Sequence, residues 1–150
     1  MFAPRAEVAT REMLRVLKPG GRIAFATWPP EHVVGQLFAL VGRFAPPPPP
    51  GASPPPLWGI PSVITERLGS AVRDIFFTRG ILSFAALSPQ HYRVFMEQTV
   101  GPVQKLVQAL ASNPARLAEL RSELEALGSR HLVDNTVRQD YLLTRATKVK

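Results

Sequence analysis

Cysteine is absent from this 150-residue chain, which excludes disulfides and thiolate metal sites. Its three histidines, His32, His91 and His131, lie tens of residues apart, so none has the close spacing of a metal-ligand pair, and no metal site is expected. No apolar run reaches the ~18 residues that a membrane span needs. No charged-then-apolar leader with a small-residue cleavage site is found either, and the expectation is a cytoplasmic protein without a membrane span. Walker-type loops and nucleophile elbows are also missing, so phosphate-loop and serine-hydrolase chemistry lack their usual groups.

Acidic residues are few, 11 against 18 basic ones, for a net charge of +7. A basic chain can signal nucleic acid or an anionic membrane surface. Here the positive charges are scattered with no run of four. The richer ends (Arg11, Arg15, Lys18, Arg22; Arg145, Lys148, Lys150) lack the interleaved aromatics of a base-stacking surface. The balance is read as a solvated surface, and it argues against nucleic acid as a partner. A hydrophobic content of 45% over this length suffices for the core of a single domain spanning 1-150.

What is present begins with a helix, a turn and a strand. Pro4 suits a first helical turn. Ala6, Ala9, Met13 and Val16/Leu17 recur at three- and four-residue spacing, forming one core-facing stripe. Lys18 suits the negative helix end, and Pro19, Gly20 and Gly21 stop the helix and turn the chain. From Ile23 to Trp28 both faces are apolar or small, the pattern of a central strand covered on two sides. Such a unit normally lies inside a doubly wound sheet with other βα units before it.

Pro29 and Pro30 end the strand and open a helix over Glu31 to Val41 that Gly42 stops, completing a helix-strand-helix segment, 1-44. Ala45 to Pro56 holds eight of the sixteen prolines and favours polyproline II, as a stiff loop (45-59) within one fold or as a linker. A short helix from Pro61 and Ser62 to Leu68 follows. Two extended runs, Val72 to Thr78 and Ile81 to Ala86, complete a helix-and-strands segment, 62-87. Residues 88-128 form a helical block. Ser88 caps its first helix and Asn113-Pro114 its last, and Gly101-Pro102 makes a break between. Leu117, Leu120, Leu124 and Leu127 form a stripe too short for a convincing coiled coil and better suited to packing on the domain. A last, antiparallel strand is expected within Val137 to Thr147 (137-147).

Several segments together resemble the C-terminal part of class I S-adenosylmethionine-dependent methyltransferases of the small-molecule type. They are Met1-Phe2-Ala3-Pro4, Arg-Val-Leu-Lys-Pro-Gly-Gly, Thr-Trp-Pro-Pro-Glu, Leu57-Trp58-Gly59, Ser88-Pro89-Gln90-His91-Tyr92, Gly101-Pro102 and Asp140-Tyr141-Leu142-Leu143. The resemblance covers essentially the whole chain but only about half of that family's domain. It implies an α/β fold: the last three strands of a Rossmann-like methyltransferase sheet, with a helical insertion before the final strand. The family's glycine-rich loop after strand one and acidic residue at the end of strand two are not in this sequence. Gly20 and Gly21 follow a helix, so they are turn residues rather than a ligand cradle.

By the same resemblance, Met1, Phe2 and Ala3 would lie beside the S-adenosylmethionine cofactor. Trp28, Glu31 and His32 would wall the substrate pocket at the carboxyl end of a strand, joined by Trp58 and, from the helical cover, by Tyr92 and Phe95. Trp28, Tyr92, Phe95 and Met96 fit plain core positions as well. His32 is a candidate general base, because an imidazole near its ordinary pKa can take a proton at neutral pH. The expectation is a half enzyme acting on a small-molecule substrate and inactive without a cofactor-binding half. It would associate with that half or with itself through an exposed strand edge. The alternative is a non-catalytic interaction module for a partner chain, anionic lipid or nucleic acid.

Overall fold

The computed structural model describes residues 1–150. The chain opens with helix α1 (Ala6–Arg15) and strand β1 (Arg22–Thr27), joined through a turn in which Gly20 takes a φ of +73°. Pro4 precedes the helix instead of entering its first turn; Arg5 holds the N-cap position. The buried stripe also differs from the expected one. Ala6 and Thr10 are buried and Met13, Leu14 and Leu17 pack on the core, whereas Val16 is 68% exposed. Thr10 is tolerated inside because its hydroxyl donates back to the Ala6 carbonyl at 2.9 Å, which satisfies the polar group.

Besides two 3₁₀ turns (Pro55–Gly59 and Gly69–Ala71), the remaining elements are α2 (Val33–Phe44), α3 (Pro61–Leu68), β2 (Val72–Ala85), α4 (Pro89–Thr99), α5 (Gly101–Ala109), α6 (Pro114–His131), β3 (Leu132–Val133) and β4 (Thr136–Lys148). Helix α2 starts two residues later than expected and runs through Gly42. The Pro29 to His32 stretch forms a separate turn in which the His32 N–H donates to the Pro29 carbonyl at 3.4 Å. Where two strands were expected after α3, one 14-residue strand, β2, runs through Gly80. The short β3 was not foreseen. It pairs with the start of β4 across Asp134 and Asn135, at φ +49° and +57°, the left-handed pair of a two-residue hairpin turn.

The fold is α/β with a four-stranded sheet in the order β1-β4-β2, and β3 pairs with β4. Strand β4 runs antiparallel to β1, with Arg22 opposite Thr147 and Thr27 opposite Leu142. The exposed strand edge expected of this chain falls on β1, whose two-sided apolar pattern is covered on one side here. Strand β1 lies at the sheet edge, and only Ile23 and Thr27 of its residues are buried, while Ala24 and Ala26 are exposed. The covering helices α1 and α3 reach one face only.

Two compact units make up the chain. The first comprises Met1–Gly35, Pro48–Ile81 and Asp140–Lys150. Its core joins Ile23, Ile64, Leu68, Val72, Leu142 and Ala146, with Met13, Leu14, Leu17, Phe25, Ile75 and Phe77 packed against it. Asp74, at φ +54°, breaks the strict alternation of β2, so that Val72, Ile75 and Phe77 all face this core. Gly59 closes the proline-rich loop directly onto the end of β1, where a Cβ would overlap the backbone of Trp28 and Pro29.

The second unit comprises Gln36–Pro47 and Leu82–Gln139. Its helix α4 packs on α5 and α6. Tyr92, Met96, Val103, Leu120, Leu124 and Leu127 are buried, so the leucine stripe is a packing face. Both expected caps form: Ser88 Oγ accepts from the His91 N–H and Asn113 Oδ1 from the Arg116 N–H, each at 3.1 Å. No helix is long and apolar enough to cross a membrane.

Candidate functional site

Where the chain leaves β1, the turn Pro29 to His32 places two polar side chains against two that come from other strands of the first unit. Arg79 of β2 lies with Nη1 2.6 Å from His32 Nε2 and Nη2 3.0 Å from Glu31 Oε1. On the other side of the ring, His32 Nδ1 is 3.9 Å from Asp140 Oδ2 of β4. A guanidinium has only donors, so Nε2 must be the acceptor. That assignment leaves Nδ1, on the side toward Asp140, to carry the ring proton. Partial burial would raise the Glu31 carboxyl, but a backbone hydrogen bond and the Arg79 guanidinium outweigh it and hold Glu31 below the usual carboxylate range.

Aromatic groups line the neighbouring bare face of the sheet. Trp28 is half-buried and meets Tyr141 edge-on, with ring centroids 6.3 Å apart. The Tyr141 ring lies across Gly80, where a Cβ would overlap it. Farther along, Arg22, Ala24, Asp74, Phe76 and Arg145 line an open cleft of about 410 Å³.

The structure thus brings two of the expected residues, Glu31 and His32, into one cluster, while Trp28 meets Tyr141 on the bare face of the sheet. Trp58 lies deeper in the same unit. It is 2% exposed, edge-on to Phe25 at 5.7 Å and covered by the Arg67 guanidinium at 4.6 Å, which makes it core. Phe2 and Ala3 are exposed, and the partly buried Met1 amine has its pKa lowered by desolvation. In the second unit Tyr92 is 1% exposed and its hydroxyl is pushed to a higher pKa by burial, while Phe95 stays partly open and stacks on Phe84 at 4.8 Å. Arg79 and Asp140 were missed as site residues, although Asp140 opens the Asp-Tyr-Leu-Leu segment already singled out.

The residues present do not fit the adenosine and carboxylate ends of S-adenosylmethionine. The Gly20 N–H donates to the Lys148 carbonyl at 3.0 Å and the Gly21 N–H to the Lys18 carbonyl at 2.8 Å, so neither amide is left for a ligand. No group of three or more histidine or acidic side chains converges as a metal site would. What the cluster can do is bind an anion through Arg79 and accept a proton at His32.

No family model matches the chain. It is 30% identical over 149 residues, 99% of its length, to the uncharacterized proteins Rv1405c of Mycobacterium tuberculosis and Mb1440c of Mycobacterium bovis, and this match covers 54% of each. A second M. tuberculosis protein, Rv1403c, also uncharacterized, matches with the same identity and coverage. The chain therefore spans about half the length of the curated relatives it matches.

Proposed function

We propose that the chain is the C-terminal half of a cytoplasmic S-adenosylmethionine-dependent methyltransferase acting on a small molecule. The strand order carries the proposal. The last strand, β4, is inserted between β1 and β2 and runs antiparallel to β1, and three helices, α4 to α6, precede it. A final antiparallel strand after a helical insertion is what the resemblance implies. The open edge of β1 leaves room for further strands of a doubly wound sheet.

The chain's own contribution is the acceptor side. Glu31, His32, Arg79 and Asp140 stand at the carboxyl end of β1, where crevice ligands of open α/β sheets bind, and His32 can take the proton of a hydroxyl nucleophile. In this reading Met1, Phe2 and Ala3 lie beside the cofactor and the other half supplies its cradle, which the engagement of the Gly20 and Gly21 amides supports.

The test is reconstitution. The unmatched portion of Rv1405c is co-expressed with this chain, and methyl transfer from labelled S-adenosylmethionine to a panel of phenols and carboxylic acids is followed. Transfer by the pair and not by the chain alone is expected; no transfer to any acceptor would overturn the proposal. The bare sheet face favours a second reading, a polypeptide-docking module without catalysis, which a stable but inactive pair would support.

A further inference from the structure

We infer that Arg79 is an anion-operated cap on His32, so that this site takes substrates carrying a carboxylate or similar anion beside the hydroxyl that gives up its proton. The inference rests on the proposed function only in calling the bound molecule a substrate; the cap itself is read from the geometry.

Four groups meet here from three places in the first unit: Glu31 and His32 from the turn after β1, Arg79 from β2 and Asp140 from β4. Asp140 lies 3.9 Å from Nδ1, near enough to favour positive charge on the ring, yet the acceptor lone pair at Nε2 is occupied by Arg79. As the structure stands, a neutral hydroxyl has no free lone pair to address on that ring.

A guanidinium prefers a carboxylate to a neutral imidazole, because a charge-assisted hydrogen bond from Nη1 replaces one to an uncharged acceptor. The Arg79 side chain is 57% exposed and the Glu31 side chain 52%, so an anion can reach the fork without crossing the core. When Nη1 turns to the incoming anion, Glu31 retains Nη2 and the Nε2 lone pair is released. The substrate O–H bond then breaks, its proton goes to Nε2, and the electron pair stays on oxygen. The resulting imidazolium is flanked by Asp140 and the new oxyanion, and no further reactant is consumed. A substrate without the anion leaves the cap closed, so Arg79 selects for charge as well as binding it.

The experiment uses the 150-residue chain itself, labelled with ¹⁵N, and follows the imidazole nitrogens, with the His32 signals assigned by His32→Gln. The probes are 4-hydroxybenzoate, benzoate and phenol. In the free protein, the Nδ1–H tautomer is expected. Saturable movement of the His32 Nε2 signal is expected with both benzoates and not with phenol. Arg79→Ala, checked for folding by circular dichroism, should release Nε2 without any ligand and weaken benzoate binding roughly tenfold or more, the loss expected for a charge-assisted pair. Arg79→Lys, which keeps the charge without the fork, should fall between.

An Nε2 signal indifferent to both anions, or unweakened benzoate binding to Arg79→Ala, would overturn the cap. Either result leaves reconstituted methyl transfer untouched. Conversely, a reconstituted pair that transfers no methyl defeats the proposed function while leaving these nitrogen signals as they are.

Discussion

The Arg67 guanidinium sits 4.6 Å above the centroid of the buried Trp58 ring while its Nη2 donates to Ser53 Oγ at 2.7 Å. One side chain therefore ties α3 to both ends of the stretch that follows the proline run. Arg67→Ala should destabilise the first unit by about 1–2 kcal/mol, from loss of a desolvated cation–π contact and a hydrogen bond. The cost is held down because Arg67 Nη1 and Trp58 Nε1 are both buried without a protein acceptor. Urea unfolding followed by tryptophan emission checks this: a lower midpoint with a red-shifted native spectrum is expected, and Arg67→Lys should recover part of the difference.

Gly59 is the second anchor of that loop. A Cβ there would run into the Trp28 carbonyl and the Pro29 backbone, groups that cannot swing aside as a flexible side chain can. Gly59→Ala should cost about 1–3 kcal/mol, the range for overpacking, and toward its upper end. Because the displaced residues carry the turn bearing Glu31 and His32, the same substitution should also shift the His32 ring signals. Gly51→Ala tests only the loop's left-handed turn, since a Cβ at Gly51, φ +77°, meets nothing within 4 Å. It should cost less and leave those signals in place.

Local signals were legible in the sequence where their partners are local. Ser88 and Asn113 each cap a helix through an amide three residues on, and the Lys18 to Gly21 turn and the leucine face of α6 follow from short-range spacing alone. Long-range partnerships were not. Arg79 reads as an exposed strand residue, because the groups that give it meaning lie 47 and 48 residues upstream. Gly80 reads as a strand break because the ring that requires its missing Cβ belongs to Tyr141. Thr10 was passed over for Ala9 because periodicity counts apolar residues and does not count a hydroxyl that satisfies itself on the preceding turn. The two-sided apolar pattern of β1 reports what the strand could bury, and in this chain only one side is buried.

Acid should weaken the second unit through Glu97. Burial alone would raise its carboxyl above the ordinary 4.5, but hydrogen bonds from Arg121 and Arg93 outweigh that and lower it. Arg121 reaches both Glu97 oxygens, at 3.0 and 3.1 Å, and Arg93 bridges Glu97 at 2.8 Å and Glu125 at 2.7 Å. A carboxyl whose pKa falls on folding contributes stability that is fully present above its unfolded value and is lost as pH drops through its folded value. Stability should thus be level above about pH 5 and decline below 4.5. Glu97→Gln should be less stable near neutrality and show a shallower acid decline. Chemical denaturation of both proteins from pH 7 to pH 3 checks the sign; parallel curves would remove Glu97 from the account.

Self-association should follow from the open edge of β1. Its six residues present unpaired backbone groups along one side, and the adjoining face carries exposed Ala24, Ala26 and a 61% exposed Phe76. An apolar edge of this kind templates pairing with another strand, and natural edges blunt it with lysine. Ala26 stands opposite Leu143 on the bare face, so Ala26→Lys puts a charge there without touching the buried side. The substitution should change stability by no more than about 0.5 kcal/mol. Sedimentation over a hundredfold range of concentration should show the unaltered chain shifting to larger species and Ala26→Lys remaining a monomer. Ser70→Lys, with the same added charge at an exposed site before β2, at the other end of the strand order from β1, separates edge blocking from simple charge repulsion and should associate like the parent. A parent chain that stays monomeric throughout would mean that the edge is protected in solution, and the room that β1 leaves for further strands would then lose its physical basis.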